Sequence, residues 1–192
     1  MIYADAGSRW INEDAPVDHY PIAVGNHAAE ASARRFAAAS GAAVVLRFGI
    51  FYGPGAAHSE QIMALARRHI GFLAGRPDTY MSSIHLTDAA AAVVAALRSP
   101  EGTYNIVDDE PVTKRDNVDA MADAVGVKPW LTGPGHLALL LGDRLNSMTR
   151  SLRVSNARFR SVTSWQPRYP SVREGYREMA VQDKRTPTDR RL

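Results

Sequence analysis

The sequence predicts an α/β fold built on parallel strands, and three observations carry that reading. An alanine-rich run, His27–Ala39, forms a helix that Ser40-Gly41 ends. The valine-bearing apolar run Ala42–Phe48 follows at once and has the length and composition of a buried strand. Helix, glycine turn and buried strand in succession make half of a parallel α/β unit. Thr103–Val107 repeats the strand pattern between two further helices, Ala89–Arg98 and the amphipathic Thr113–Val125. Two such strands are few beside a mean sheet of about 5–6. The chain is therefore expected to be part of a larger fold.

The other elements are read in order. Residues 1–25 are punctuated by Gly7, Pro16 and Pro21 and read as loop. The glycine- and proline-bearing stretch Gly49–Gly55 leads into a helix from about Ser59 to Ile70, and Tyr80–Leu86 reads as one short strand. Thr87-Asp88 is taken to cap the helix behind it, the carboxylate accepting from free N–H groups. Residues 134–150, 156–161 and 171–181 read as helices. A single domain over residues 1–183 is expected, with residues 184–192 a disordered tail.

Composition narrows the function. The 192 residues contain no cysteine, which removes disulfides and thiolate metal sites. No apolar run reaches the roughly 18 residues of a membrane span, and the first residues carry no signal-peptide pattern, so a cytoplasmic location is the default expectation. The net charge of +3 comes from arginines gathered after Lys114. They alternate with acids and serines and lack an aromatic stacking pattern, so nucleic acid is not expected as a partner. The six histidines show no HxxxH or HExxH spacing, and the consecutive acids Asp108-Asp109-Glu110 read as a solvated loop, so no metal is expected.

Four segments in order carry a resemblance. They are Leu46-Arg47-Phe48-Gly49-Ile50-Phe51-Tyr52-Gly53-Pro54-Gly55, Ser83-Ile84-His85-Leu86-Thr87-Asp88-Ala89-Ala90 and Gly102-Thr103-Tyr104-Asn105-Ile106-Val107, then Arg153-Val154-Ser155-Asn156 with Trp165-Gln166-Pro167 and Glu174-Gly175. Together they resemble the second half of extended short-chain dehydrogenase/reductases, of the NAD-dependent epimerase/dehydratase type. The resemblance implies the C-terminal part of a Rossmann-like doubly wound fold with its small substrate-binding subdomain, the early strands missing. It implies NAD or NADP as cofactor and a small-molecule substrate. Phe48, Gly49, Ile50 and Phe51 would form the nicotinamide-side wall, and His58, Ser59 and His85 would face substrate.

The sequence departs from the pattern where the chemistry lies. It has no glycine-rich loop of the kind that lays a pyrophosphate on a helix N-terminus. The family pairs a tyrosine acid/base with a lysine four residues on. Counting back from Glu30 puts Ile22 and Asn26 in those places, and no lysine precedes Lys114. Tyr20 is close by, but its +4 residue is Val24. Gly49–Phe51 and Met81 also replace residues that members acting on nucleotide sugars carry, which speaks against a nucleotide sugar. The chain is expected to be inactive alone, or to act as a non-catalytic interaction module. Its partner would be a second copy across the alanine-rich helix, or a complementary N-terminal half. His85 also has a purely structural reading, as a residue of a central strand.

Overall fold

In the computed structural model, residues 1–129, 131–132 and 149–185 are described. The expected strand over 42–48 is β2 (Val44–Phe48), and that over 103–107 is β7 (Gly102–Ile106). They pair in parallel, from Val44 opposite Gly102 to Phe48 opposite Ile106. The helix before β2 is α1 (Val24–Ser40), which begins three residues earlier than its alanines suggest, behind a 3-10 turn at Pro21–Ala23. The N-terminal residues are less irregular than expected. Trp10–Ile11 forms β1 and pairs in parallel with Arg153–Val154.

Gly49 is where the central strand changes neighbours. Its N–H donates to Ile106 O, closing the ladder with β7, while the N–H of Ile50 donates to Ser82 O and opens a second ladder. That ladder joins β3 (Ile50–Tyr52) to β6 (Ser83–His85), again in parallel. A Cβ at Gly49 would lie 2.8 Å from Ser82 O, so no larger residue fits the crossover. The single strand expected over Tyr80–Leu86 is two for the same reason. Tyr80–Met81 (β5) pairs antiparallel with Val112–Thr113 (β8), whereas β6 pairs with β3. Ile70–Gly71 is β4 and Leu131–Thr132 is β9.

Helices α2 (Ala57–Arg67), α4 (Lys114–Val125) and α6 (Val172–Arg185) enclose one core, of Tyr52, Met63, Val112, Met121, Val172, Tyr176 and Met179. Helices α3 (Leu86–Ala96) and α5 (Ala157–Val162) border the other, of Ile84, Ala92, Tyr104, Ile106, Phe159 and Trp165. The start of α4 is fixed by a capping box: Thr113 Oγ1 accepts from the Asp116 N–H, and Asp116 accepts from the Thr113 N–H. The helix read over 134–150 lies almost wholly outside the described residues. Helix α6 runs to Arg185, past the boundary expected at residue 183. No helix among the described residues is long and apolar enough to cross a membrane.

Two acids stand where the sequence does not put them. Asp88 is not the cap of α3; the His85 side chain is, with Nδ1 accepting from the Thr87 N–H at 3.2 Å. Asp88 is buried in the first turn and accepts from the N–H groups of Arg168 and Tyr169, both at 3.0 Å. It thus ties the segment leading into α6 to α3. Asp108 is not solvated either: it is 2% exposed, and Oδ1 has no partner among the described residues. Burial, together with the neighbouring Asp109 and Glu110, pushes its carboxyl well above the usual range.

A raised carboxyl pKa gives stability that is complete below the unfolded value, near pH 4, and is lost as pH climbs toward the folded one. Asp108→Asn is therefore expected to raise the melting temperature at pH 8, with a gain that shrinks toward pH 4.5. Melts across that range check it; a gain independent of pH would show that the carboxyl does not titrate with folding.

Candidate functional site

Two cavities meet at Met1, Asn26, Gly49 and Phe51. The first, about 510 Å³, runs along β2 and α1 and is lined by Ala29, Glu30, Ala33 and the strand residues Val44–Phe48. The second, about 350 Å³, lies between β3, α2, β5 and the start of α4. Its walls include Ile50, Ile62, Phe72 and Met81, and its polar groups include Tyr20, His58, Lys114, Asn117 and Arg150. Gly49 forms the junction because the crossover described above leaves no room for a side chain.

The sequence-picked residues fall into two groups. Gly49, Ile50, Phe51 and His58 line the second cavity, while Phe48 lines the first and meets Phe51 ring to ring at 5.2 Å. Ser59 and His85 line neither. Ser59 is a buried residue of α2, its Oγ 3.4 Å from His58 Nε2. His85 is 2% exposed, packed 4.2 Å from the Tyr169 ring and edge-on to Tyr52. Burial lowers its pKa, which keeps the ring neutral, in line with its capping role.

Asn26 is exposed and borders both cavities. Ile22 lies in the 3-10 turn ahead of α1. Tyr20 borders the second cavity but is already engaged. Its hydroxyl donates to Met1 O, and the Arg150 guanidinium lies over its ring at 3.9 Å. Burial raises its pKa, so it is no base at neutral pH.

The sequence reading missed Lys114. At the first turn of a helix a lysine reads as a solvated residue, yet it is 6% exposed and on the cavity wall. Its Nζ has no hydrogen-bond partner among the described residues, and burial pulls its pKa down to about 8. Among the described residues, no three histidine, aspartate or glutamate side chains come together as a metal site.

One wall of the first cavity is a buried polar network. Arg47 holds Glu30 through two contacts of 2.8 Å and donates to the Tyr3 hydroxyl at 2.8 Å and Glu13 O at 3.1 Å. Tyr3 in turn donates to Asn105 Oδ1. Paired to Arg47, Glu30 has a carboxyl held below the usual range.

No family model matches the sequence. A 3-diazoavenalumate denitrifying reductase from Streptomyces is 33% identical over 141 residues, which are 70% of this chain and 46% of that protein. A human epimerase family protein (SDR39U1) solved with NADPH superposes with a TM-score of 0.82 at 20% identity, over 94% of this chain and 62% of its own. The UDP-glucose 4-epimerase of Thermotoga maritima, solved with UDP-glucose, gives 0.77 at 17% identity over 96% of this chain and 60% of its own. The chain thus spans about half the length of the curated relative and three-fifths of the solved structures. Over that span, the chain has the Rossmann-like fold of NAD-dependent epimerase/dehydratase proteins, the extended type of short-chain dehydrogenase/reductase.

Proposed function

We propose that the chain is the substrate-side portion of an NAD(P)-dependent reductase of the epimerase/dehydratase family. The observation that carries this is the pair of cavities joined at Gly49, on a fold shared with proteins solved with NADPH or NAD and with a reductase relative. Asn26, Gly49, Ile50 and Phe51 fit the nicotinamide end of such a cofactor. They offer a flat apolar wall with one amide at its edge, and Ile50 and Phe51 are 44% and 40% exposed. A bound nicotinamide supplies a hydride; these residues orient the ring and keep water from it.

We assign no cradle for the diphosphate among the described residues. The strand–turn–helix at Gly53–Gly55 would be a candidate, but the Gly55 N–H already donates to the Glu60 carboxylate at 3.1 Å. With Tyr20 engaged and Asn26 in the lysine's place, proton transfer cannot follow the tyrosine–lysine pattern. We assign the supply of a proton to His58 or Lys114, both on the second cavity.

A second reading, an interaction module completed by a partner chain, is favoured by β2. All five of its residues are only half-buried, and β7 is its one neighbour among the described strands.

One experiment separates the two: melting curves with NAD, NADH, NADP or NADPH, with light scattering in parallel. A cofactor that binds only the folded state adds about 2.7 kcal/mol at a hundred times its dissociation constant. That is a rise of roughly 5–10 °C for a domain of this size. A rise of that order is the expected result. No response to millimolar NADPH from a cooperatively melting protein would overturn the reductase reading for this chain, and self-association in the same sample would favour the second.

A further inference from the structure

The second cavity contains a charge that no group among the described residues pairs. Arg47 and Arg150, the buried arginines beside the two cavities, are both satisfied: Arg47 by Glu30, and Arg150 by Asp18 at 2.8 Å and Tyr3 O at 3.0 Å. Lys114 is the exception, its Nζ buried without a partner among the described residues. The acids that could have served are committed elsewhere. Asp116, two residues on, closes the capping box with Thr113. Asp5, which interacts with Lys114 only through space, accepts from the N–H groups of Gly7 and Ser151.

The backbone also leaves room for the ammonium. Gly75, at φ +85°, passes so close that a Cβ there would lie 3.2 Å from Nζ. On the same cavity wall, the Asn117 Oδ1 accepts from the Tyr176 hydroxyl at 2.9 Å, so that oxygen is engaged away from the lysine. A buried cation without a counter-charge is costly, and an anion entering the cavity would remove that cost.

We propose that this cavity binds a small organic carboxylate, its carboxylate on Lys114 Nζ and its hydrocarbon part against Ile50, Ile62, Phe72 and Met81. Among the described residues, one unpartnered side-chain cation beside apolar walls suits a monoanion with an apolar body. A phosphate dianion would call for more positive charge than the cavity has to spare. The inference deepens the reductase reading by naming its substrate class, but it concerns binding to the cavity alone.

The test is calorimetric titration at pH 7 without nicotinamide, using 3-phenylpropanoate, its uncharged amide and phenyl phosphate. The acid is expected to bind at least tenfold more tightly than the amide. Lys114→Met and Lys114→Gln are each expected to lose tenfold or more for the acid and to leave the amide unchanged. Both variants should melt at or above the wild-type temperature, since they remove a buried charge; that melting shows they are folded.

Raising the pH from 7 to 9 should weaken the acid as the lysine deprotonates. The Met1 amine, Tyr20, His58, Tyr80 and Arg150 are the other titratable groups on the wall, and the dependence that is present in the wild type and lost in both Lys114 variants is the part that belongs to Lys114. Equal binding of acid and amide, no binding of the acid, undiminished binding by the variants, or phenyl phosphate favoured tenfold over the acid would each overturn the proposal. Because no cofactor is present, a failure of NADPH to bind leaves this result standing.

Discussion

Arg47→Ala is expected to cost about 3–5 kcal/mol, the range for removing one partner of a buried ion pair. For a domain of this size that lowers the melting temperature by roughly 6–20 °C. The loss exceeds that of one contact because the guanidinium serves Glu30, the Tyr3 hydroxyl and Glu13 O at once. Side-chain exposures of 11% for Arg47 and 8% for Glu30 leave little water to take over.

The pH dependence should change with it. In the wild type the lowered Glu30 carboxyl gives stability that is present above the usual carboxylate range and lost as pH falls through the folded value. Without Arg47 the same buried carboxylate keeps only the exposed Arg34 at 3.5 Å, so most of that contribution disappears and the variant suffers most near neutral pH. The double variant Arg47→Met/Glu30→Leu should recover part of the loss, because no charge is then left alone. Denaturant melts of the three proteins at pH 5 and pH 8 are the check. A single variant within about 1 kcal/mol of wild type would mean the network is hydrated.

Gly175→Ala is the second substitution with a large expected effect. Helix α6 crosses the Tyr52 ring at Gly175, and an added Cβ would fall on that ring, 2.8 Å from its Cζ. Tyr52 has nowhere to go. It is 2% exposed, edge-on to Tyr176 at 5.2 Å and to His85 at 5.3 Å, and its hydroxyl donates to Ser171 O. Overpacking of this kind costs about 1–3 kcal/mol, and the usual helical gain of alanine over glycine, about 1 kcal/mol, does not offset it. Pairing the change with Tyr52→Phe, which removes the hydroxyl, should return only part of the loss, since ring carbons are also in the way. A neutral or stabilising Gly175→Ala would show that α6 can shift off the ring.

How far the sequence could be read depends on what each residue meets. The β2–β7 pair was legible because both strands are short apolar runs beside helices with a clear period. Gly49 and its neighbours were legible through the resemblance of the segment around them. The division of 80–86 was not, since partner identity leaves no mark in a run of seven residues. Asp88 misled because a carboxylate in the first turn of a helix usually serves that helix; here it serves residues 168 and 169, eighty positions on. Asp108 and Lys114 misled in the same direction. A charged side chain reads as solvated, and only the packed structure shows that one lies in a core and the other on a cavity wall.

The change of neighbours at Gly49 also bears on how the chain reaches its native state. One continuous strand is held by Ser83–His85 on one stretch and by Gly102–Ile106 on the other, both far along the sequence, and β1 waits for Arg153–Val154. None of these ladders is a local hairpin, so each must close a long loop before its first hydrogen bonds form. Such a topology folds slowly. Until Arg47 finds Glu30 and the residues around Tyr3 settle, the apolar edge of Val44–Phe48 stays open to a neighbouring molecule, making aggregation during refolding the main competitor of correct assembly.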